Sequence, residues 1–386
     1  MKKLLTVLGL VLVSSAIYVT FFAPTPTLIS PLSNSPSLEN RSVGEREYVI
    51  LGFAPYWNLK KLSPESFKTI THFAYFNLHL NGDGSLYTNV KKREEDPGYT
   101  NYKRLVNGSV DYQNKPLIIT FMPESQSALA DSISTPTNRQ KTISTVLSAM
   151  QESKAMGVNI DYEPLGDIPP SLRDNFTLFI KELHASLQPK TSAIKPILTI
   201  SVYASSAVRP RIWDLTALTD FTDYFVVMTY DYTMPGNSSA GPNSPLRGSG
   251  DQIEHDIIKN ISEITKLVPS RKVLLGIPFY GYEWDTIDGT KYSPVESKGS
   301  VASLERIDSM LNDRTLELIW DRNTLTPYGI STESGQTSQI YFENEASIRL
   351  KIEFVKSARL GGIAIWALGY EGNNSWVWPT INQLNP

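Results

Sequence analysis

The chain has 386 residues, 41% of them hydrophobic and 19% charged, which is the composition of a folded globular protein rather than a disordered or fibrous one. A formal net charge of −3 and the lack of any basic run exclude the positive field that nucleic-acid binding needs. With no cysteine, disulfides, Cys-ligated zinc and thiol catalysis are excluded; His72, His79, His184 and His255 form no metal-binding pair, so neither metal nor cofactor is expected.

Met1-Lys2-Lys3 precede an uncharged apolar run over 4–23. This predicts an export element at 1–23, cleaved as a signal peptide or kept as a single membrane anchor, with the rest of the chain extracellular or at the cell envelope. A Pro-, Ser- and Thr-rich stretch then makes 24–46 an extended tether. From 47 to 386 short apolar runs alternate with longer amphipathic ones, the pattern of a parallel sheet covered by helices. Strands are predicted at 49–54, 71–76, 116–121, 157–162, 197–202, 224–229, 273–278 and 362–367, which fits an α/β fold of the (β/α)8 TIM barrel type. Helical periodicity at 138–156 puts Ile143, Val146, Leu147 and Met150 on one face, and at 170–187 does so for Leu172, Phe176, Phe179, Ile180 and Leu183. The spacing breaks between the seventh and eighth strands. There, 284–342 predicts a small α+β insertion, with a helix at 301–311, a strand at 317–320 and a hairpin about Ser334-Gly335.

Side chains alternate faces along a strand, so Asn159, Asp161 and Glu163 project to one side of the fourth strand and Val158, Ile160 and Tyr162 to the other. In a barrel the apolar set meets the helices. Inward polar groups belong at the C-terminal mouth, where barrel active sites lie. Two carboxylates and an amide on one face point to chemistry, with an ion pair to a neighbouring Arg or Lys as the competing account. Glu163, nearest the mouth and close to a second carboxylate, is expected to stay protonated and to donate to a leaving oxygen. Asp161 sits about 6–7 Å along the same strand and approaches from the same side, which makes it a poor opposite-face nucleophile.

The segment Met156-Gly-Val-Asn-Ile-Asp-Tyr-Glu163 resembles the DGxDxDxE signature of glycoside hydrolase family 18. Gly52-Phe-Ala-Pro-Tyr-Trp57, Met228-Thr-Tyr-Asp-Tyr232, Gly276-Ile-Pro-Phe-Tyr-Gly-Tyr282 and Gly361-Gly-Ile-Ala-Ile-Trp-Ala-Leu-Gly369 resemble its first, sixth, seventh and eighth strands, in that order. The resemblance implies retaining, substrate-assisted hydrolysis of β-1,4 linkages next to N-acetylglucosamine, outside the paired-carboxylate scheme. It implies that Glu163 is the general acid, that the substrate's acetamido oxygen attacks the anomeric carbon, and that Asp161 stabilises the acetamido N–H. It further implies that Tyr230 hydrogen-bonds the acetamido oxygen, that Asp231 holds the distorted sugar, and that Trp366 floors the cleaved subsite. Asn159, Met228, Tyr282 and Trp57 are further candidates for substrate contact. Tyr56, Trp57, Tyr280, Tyr282 and Trp284 all fall at predicted strand ends, where aromatic rings suit sugar stacking.

Met156 and Asn159 stand where the signature has Asp. Asn159 can hydrogen-bond Asp161 but cannot share a proton with it, so Asp161 is expected to be ionised more uniformly with pH. This form resembles the peptidoglycan-directed branch of the family and puts peptidoglycan ahead of chitin. The third strand lacks the usual Ser-x-Gly-Gly, leaving Glu124 either to contact substrate or to cap the following helix. The expectation is a monomeric glycosidase acting on an N-acetylglucosamine-containing polysaccharide. The alternative, a catalytically silent sugar-binding barrel, is opposed by the retention of Glu163, Asp161 and Tyr230.

Overall fold

A computed structural model describes residues 47–188, 195–250, 253–333 and 335–386. The export element and tether expected over 1–46 lie outside the described residues. Among the described residues, no helix is long and apolar enough to cross a membrane.

Eight parallel strands close into a barrel: β1 (Val49–Pro55), β2 (His72–Leu80), β3 (Leu117–Pro123), β4 (Gly157–Ile160), β5 (Ile197–Tyr203), β6 (Tyr224–Met228), β7 (Val273–Pro278) and β8 (Gly362–Trp366). Each pairs with its neighbours in sequence, and β8 returns to β1 with Val49 opposite Gly362. Alternation explains the closure. Outward residues such as Val158, Ile160, Leu198, Ile200, Ile363 and Ile365 are fully buried under the helices.

The inward residues divide into two kinds. Leu51, Phe53, Ala74, Phe76, Ile118, Val226, Leu274 and Ala364 form an apolar cluster that Trp366 and Met122 cover. Thr120, Asn159, Thr199 and Ser201, from β3, β4 and β5, supply buried polar groups instead.

The helices begin where local chemistry allows. Pro64–Thr69, Pro97–Val106 and Pro136–Ser153 start on a proline, which has no N–H to leave unpaired, behind Ser63, Asp96 and Thr135, whose side chains accept backbone N–H groups of the first turn. Helix Pro170–Ser186 starts the same way but has no side-chain cap. Its buried stripe is the expected Leu172, Phe176, Phe179, Ile180 and Leu183.

After β7 the chain enters a five-stranded antiparallel sheet, ordered Ser300–Ser303, Tyr280–Thr286, Gln336–Tyr341, Thr326–Glu333 and Glu317–Asp321. It therefore starts at Tyr280, ahead of the expected 284. The helix expected from 301 is Leu304–Asn312, because Ser300–Ser303 pair with the Tyr280 strand and Ser303 accepts from Arg306 N to cap the helix. Tyr280, Tyr282, Trp284, Tyr328 and Tyr341 make the inner face of this sheet an aromatic cluster.

Candidate active site

The ladder of β4 extends by one bond, from Asp161 N to Phe121 O at 3.0 Å, and then the chain leaves the barrel wall. Gln126, the first residue of helix Gln126–Ser134, clamps the departing loop. Its Nε2 donates to Glu163 O at 2.9 Å, and its Oε1 accepts from Leu165 N at 2.9 Å. From the far side, Arg211 Nη1 donates to Pro164 O at 2.8 Å. Glu163 is thus fixed half-buried above the strand end, with Asp161 only 4% exposed beneath it.

Burial pushes the Glu163 carboxyl above the usual range; a hydrogen bond from Tyr203 opposes this, and the charge of Asp231 reinforces it. Asp161 is pushed well up by burial and then by Glu163, against a hydrogen bond from Ser201. Its Oδ1 is buried with no hydrogen-bond partner. Uniform ionisation of Asp161 is therefore not what this site imposes: two carboxyls this close in dry surroundings titrate as a pair. Asn159 does not face the cleft. It is fully buried, with Nδ2 donating to Ser201 Oγ at 3.0 Å and Oδ1 accepting from Thr199 Oγ1 at 2.7 Å, so it reaches Asp161 through Ser201. Direct substrate contact by Asn159 is overturned by that burial.

Asp231 adopts φ 63°, a left-handed conformation that non-glycine residues seldom hold without support. Asn243 supplies the support: its Oδ1 accepts from Asp231 N at 2.8 Å, and its Nδ2 donates to Tyr280 O at 3.0 Å. The Asp231 Oδ1 accepts both Tyr280 Oη at 2.5 Å and Tyr282 Oη at 2.7 Å. Burial raises the Asp231 carboxyl, and these two phenols hold it back. Stacking on sugar by Tyr280, Tyr282 and Trp284 is likewise overturned. Their rings are buried against one another, with centroids 5.4 and 5.8 Å apart along the series, and the two tyrosines serve Asp231 instead.

Tyr230 is half-buried beside Asp231, its ring centroid 6.1 Å from that of Tyr280, and its hydroxyl has no hydrogen-bond partner among the described residues. Burial, and then the charges of Asp231, Asp161 and Glu163, push the phenol well up, so it remains a donor. Gly276 makes its place possible: a Cβ there would lie 2.9 Å from the Tyr230 ring and 2.6 Å from Val227 O.

Glu163, Tyr203, Met228, Tyr230 and Asp231 line a cleft of about 930 Å³, with Leu165 and Met234 exposed at its rim. Trp366 and Trp57 are not in that lining. They form an aromatic group with Phe53 and Phe76, in which Trp366 lies 4.5 Å from Phe76 and 6.4 Å from Trp57, and Trp57 is 48% exposed. Glu124 is exposed and accepts from Ser125 Oγ at 2.8 Å, while Ser125, not Glu124, caps the helix.

Tyr203, Gln126, Arg211, Asn243 and Ser201 all shape the site, and no local motif marks them. Tyr203 and Ser201 alone had a signal, since both share the inward parity of Thr199 on β5.

The glycosyl hydrolases family 18 model matches residues 49–371. YdhD of Bacillus subtilis (strain 168), provisionally designated a sporulation-specific glycosylase, is 27% identical over 242 residues, covering 61% of this chain and 52% of its own length. The chain thus spans about half of that relative. The cortical fragment-lytic enzyme of Bacillus anthracis is 22% identical over 316 residues, covering 80% of this chain and 66% of its own. Among solved structures, the class V chitinase of Nicotiana tobaccum has a TM-score of 0.75 at 19% identity, covering 88% of this chain and 99% of its own. A mutant of it in complex with NAG4 has the same TM-score at 18% identity, covering 88% of this chain and 99% of its own. With a barrel of this topology and a family match running from the first strand to beyond the eighth, the chain belongs to glycosyl hydrolases family 18.

Proposed function

We propose that the protein hydrolyses β-1,4 linkages next to N-acetylglucosamine by a retaining, substrate-assisted route, on peptidoglycan in preference to chitin. The observation that carries this is the Asp161 carboxyl, whose Oδ1 is buried and unpartnered beneath a Glu163 whose own carboxyl burial raises above the usual range. An acetamido N–H would satisfy that oxygen, which the Ser201 hydrogen bond to this carboxyl leaves unpartnered. Glu163 then protonates the leaving oxygen. The Tyr230 hydroxyl, free among the described residues, donates to the acetamido oxygen as it attacks the anomeric carbon. Asp231 is unsuited to be the nucleophile of a two-carboxylate mechanism, because its Oδ1 already accepts two phenolic hydrogen bonds.

Relatives named for sporulation and for cortical fragments support the cell-wall substrate, and a fold neighbour in complex with NAG4 supports an N-acetylglucosamine polymer. On this reading the barrel works outside the cytoplasm. The test is turnover of peptidoglycan and chitin oligosaccharides side by side. Glu163→Gln is expected to cost at least about 100-fold in kcat, the range of general acid catalysis. De-N-acetylated glycan is expected to resist cleavage, and its efficient hydrolysis would remove the substrate-assisted step.

A further inference from the structure

Beside the catalytic cleft lies a second cavity, of about 420 Å³, lined by Gly166, Asp167, Ile168, Arg173, Arg209, Pro210 and Arg211. Arg211 lines both, so the two are neighbours across its guanidinium. Among the described residues, none of the three arginines has a carboxylate partner within salt-bridge distance. Arg173 Nε is committed to Arg211 O at 2.7 Å, Arg211 Nη1 to Pro164 O at 2.8 Å, and Arg209 is exposed. The one carboxylate in the lining is Asp167.

A second field adds to this one. Helix Pro170–Ser186 starts at the same cavity without a side-chain cap and without an acidic residue in its first turn, where Arg173 sits instead. A cation at the positive end of a helix is unfavourable unless an anion comes between them. Arg211 moreover holds φ 48°, fixed by the two backbone bonds that it and Arg173 make. The structure therefore holds an excess of positive charge, three arginines against the single carboxylate of Asp167, with Arg173 and Arg211 held by backbone bonds, beside the cleft that Glu163 lines.

We infer that this arginine cavity binds carboxylate groups carried by the glycan, so that the enzyme selects a carboxylate-substituted N-acetylglucosamine polymer over a neutral one. This rests on the proposed function and deepens it: peptidoglycan bears carboxylates on its peptide stems, or a free lactyl carboxylate on each muramic residue whose stem has been removed, and chitin bears none. The guanidinium fork suits planar, bidentate recognition of that group.

The experiment uses Glu163→Gln protein with and without Arg209→Glu, titrated calorimetrically with five probes: chitin tetrasaccharide, peptide-free muramyl glycan, the same glycan with its stem peptides, and each of the two muramyl forms with its carboxylates amidated. Arg209→Glu is expected to weaken carboxylate-bearing fragments about tenfold, as for loss of one charge-assisted contact, and to leave the tetrasaccharide within about twofold. Loss on the peptide-free form assigns the lactyl group, and loss confined to the peptide-bearing form assigns the stem. Amidation is expected to abolish the difference between the two proteins. Equal loss on the neutral tetrasaccharide, or no loss on any fragment, overturns the inference. Turnover by the wild-type protein is read separately: failure to cleave any acetylated glycan would remove the proposed function, while the binding arms would still report on the arginines.

Discussion

Two neighbours act on the Glu163 proton in opposite directions. The Asp231 charge raises its carboxyl and the Tyr203 hydrogen bond lowers it, both on top of the raising effect of burial. On the proposed mechanism Glu163 is the general acid and must carry its proton, so activity is expected to fall as pH rises through the raised pKa. Asp231→Asn removes the like charge and should move the alkaline limb of kcat/KM to lower pH. Tyr203→Phe removes the hydrogen bond that favours the carboxylate and should move it to higher pH. Shifts of the same sign in a pair of pH profiles would show that these residues do not act through Glu163. At this scale the sequence was partly legible: Asp161 and Glu163 stand two residues apart just past the end of β4, and their spacing brings them together without knowledge of the fold, although the strand itself stops at Ile160. Tyr203, Gln126 and Asn243 come from other elements, and only the closed barrel makes them neighbours. Tyr282 and Asn159 were legible as polar-tipped residues near the mouth. Their burial depended on a sheet and a strand register that no local pattern reveals.

Between elements, β7 and β6 meet at Gly276, where there is no room for a side chain. Gly276 lies under Tyr230, and any side chain there meets the Val227 carbonyl and the phenol ring. Gly276→Ala is therefore expected to cost about 1–3 kcal/mol of stability by overpacking. If Tyr230 acts as proposed, the substitution should also lower kcat about tenfold by displacing that ring, since small misplacements of a catalytic group carry large kinetic penalties. Melting curves beside kcat, measured well below the transition, separate the two effects, and an unchanged kcat would mean that Gly276 does not set the position of Tyr230. The strands themselves could be read from alternating apolar runs because β-branched residues there are buried on the outward face. The start of the rim sheet could not. Tyr280 follows β7 with only Phe279 between, and the switch from parallel to antiparallel pairing leaves no mark in composition.

For the molecule as a whole, the eight-stranded closure was legible and the division of its interior was not. Of the eight residues in the inward apolar cluster, five lie on β8, β1 and β2, next to Trp366 and the Trp57 ring that packs on it, while the buried polar groups lie on β3, β4 and β5. A pyranose ring has two faces and two edges. If the aromatic side takes one face while Asp161 and Tyr230 take the acetamido edge, both degrees of freedom are fixed together, and a polymer can lie in the cleft in one direction only. The enzyme then distinguishes the reducing end of a strand from the other end at every binding event. An oligosaccharide labelled at one terminus should be cut at a fixed set of offsets from that label, whereas mirror-image product distributions would show that the chain enters both ways round.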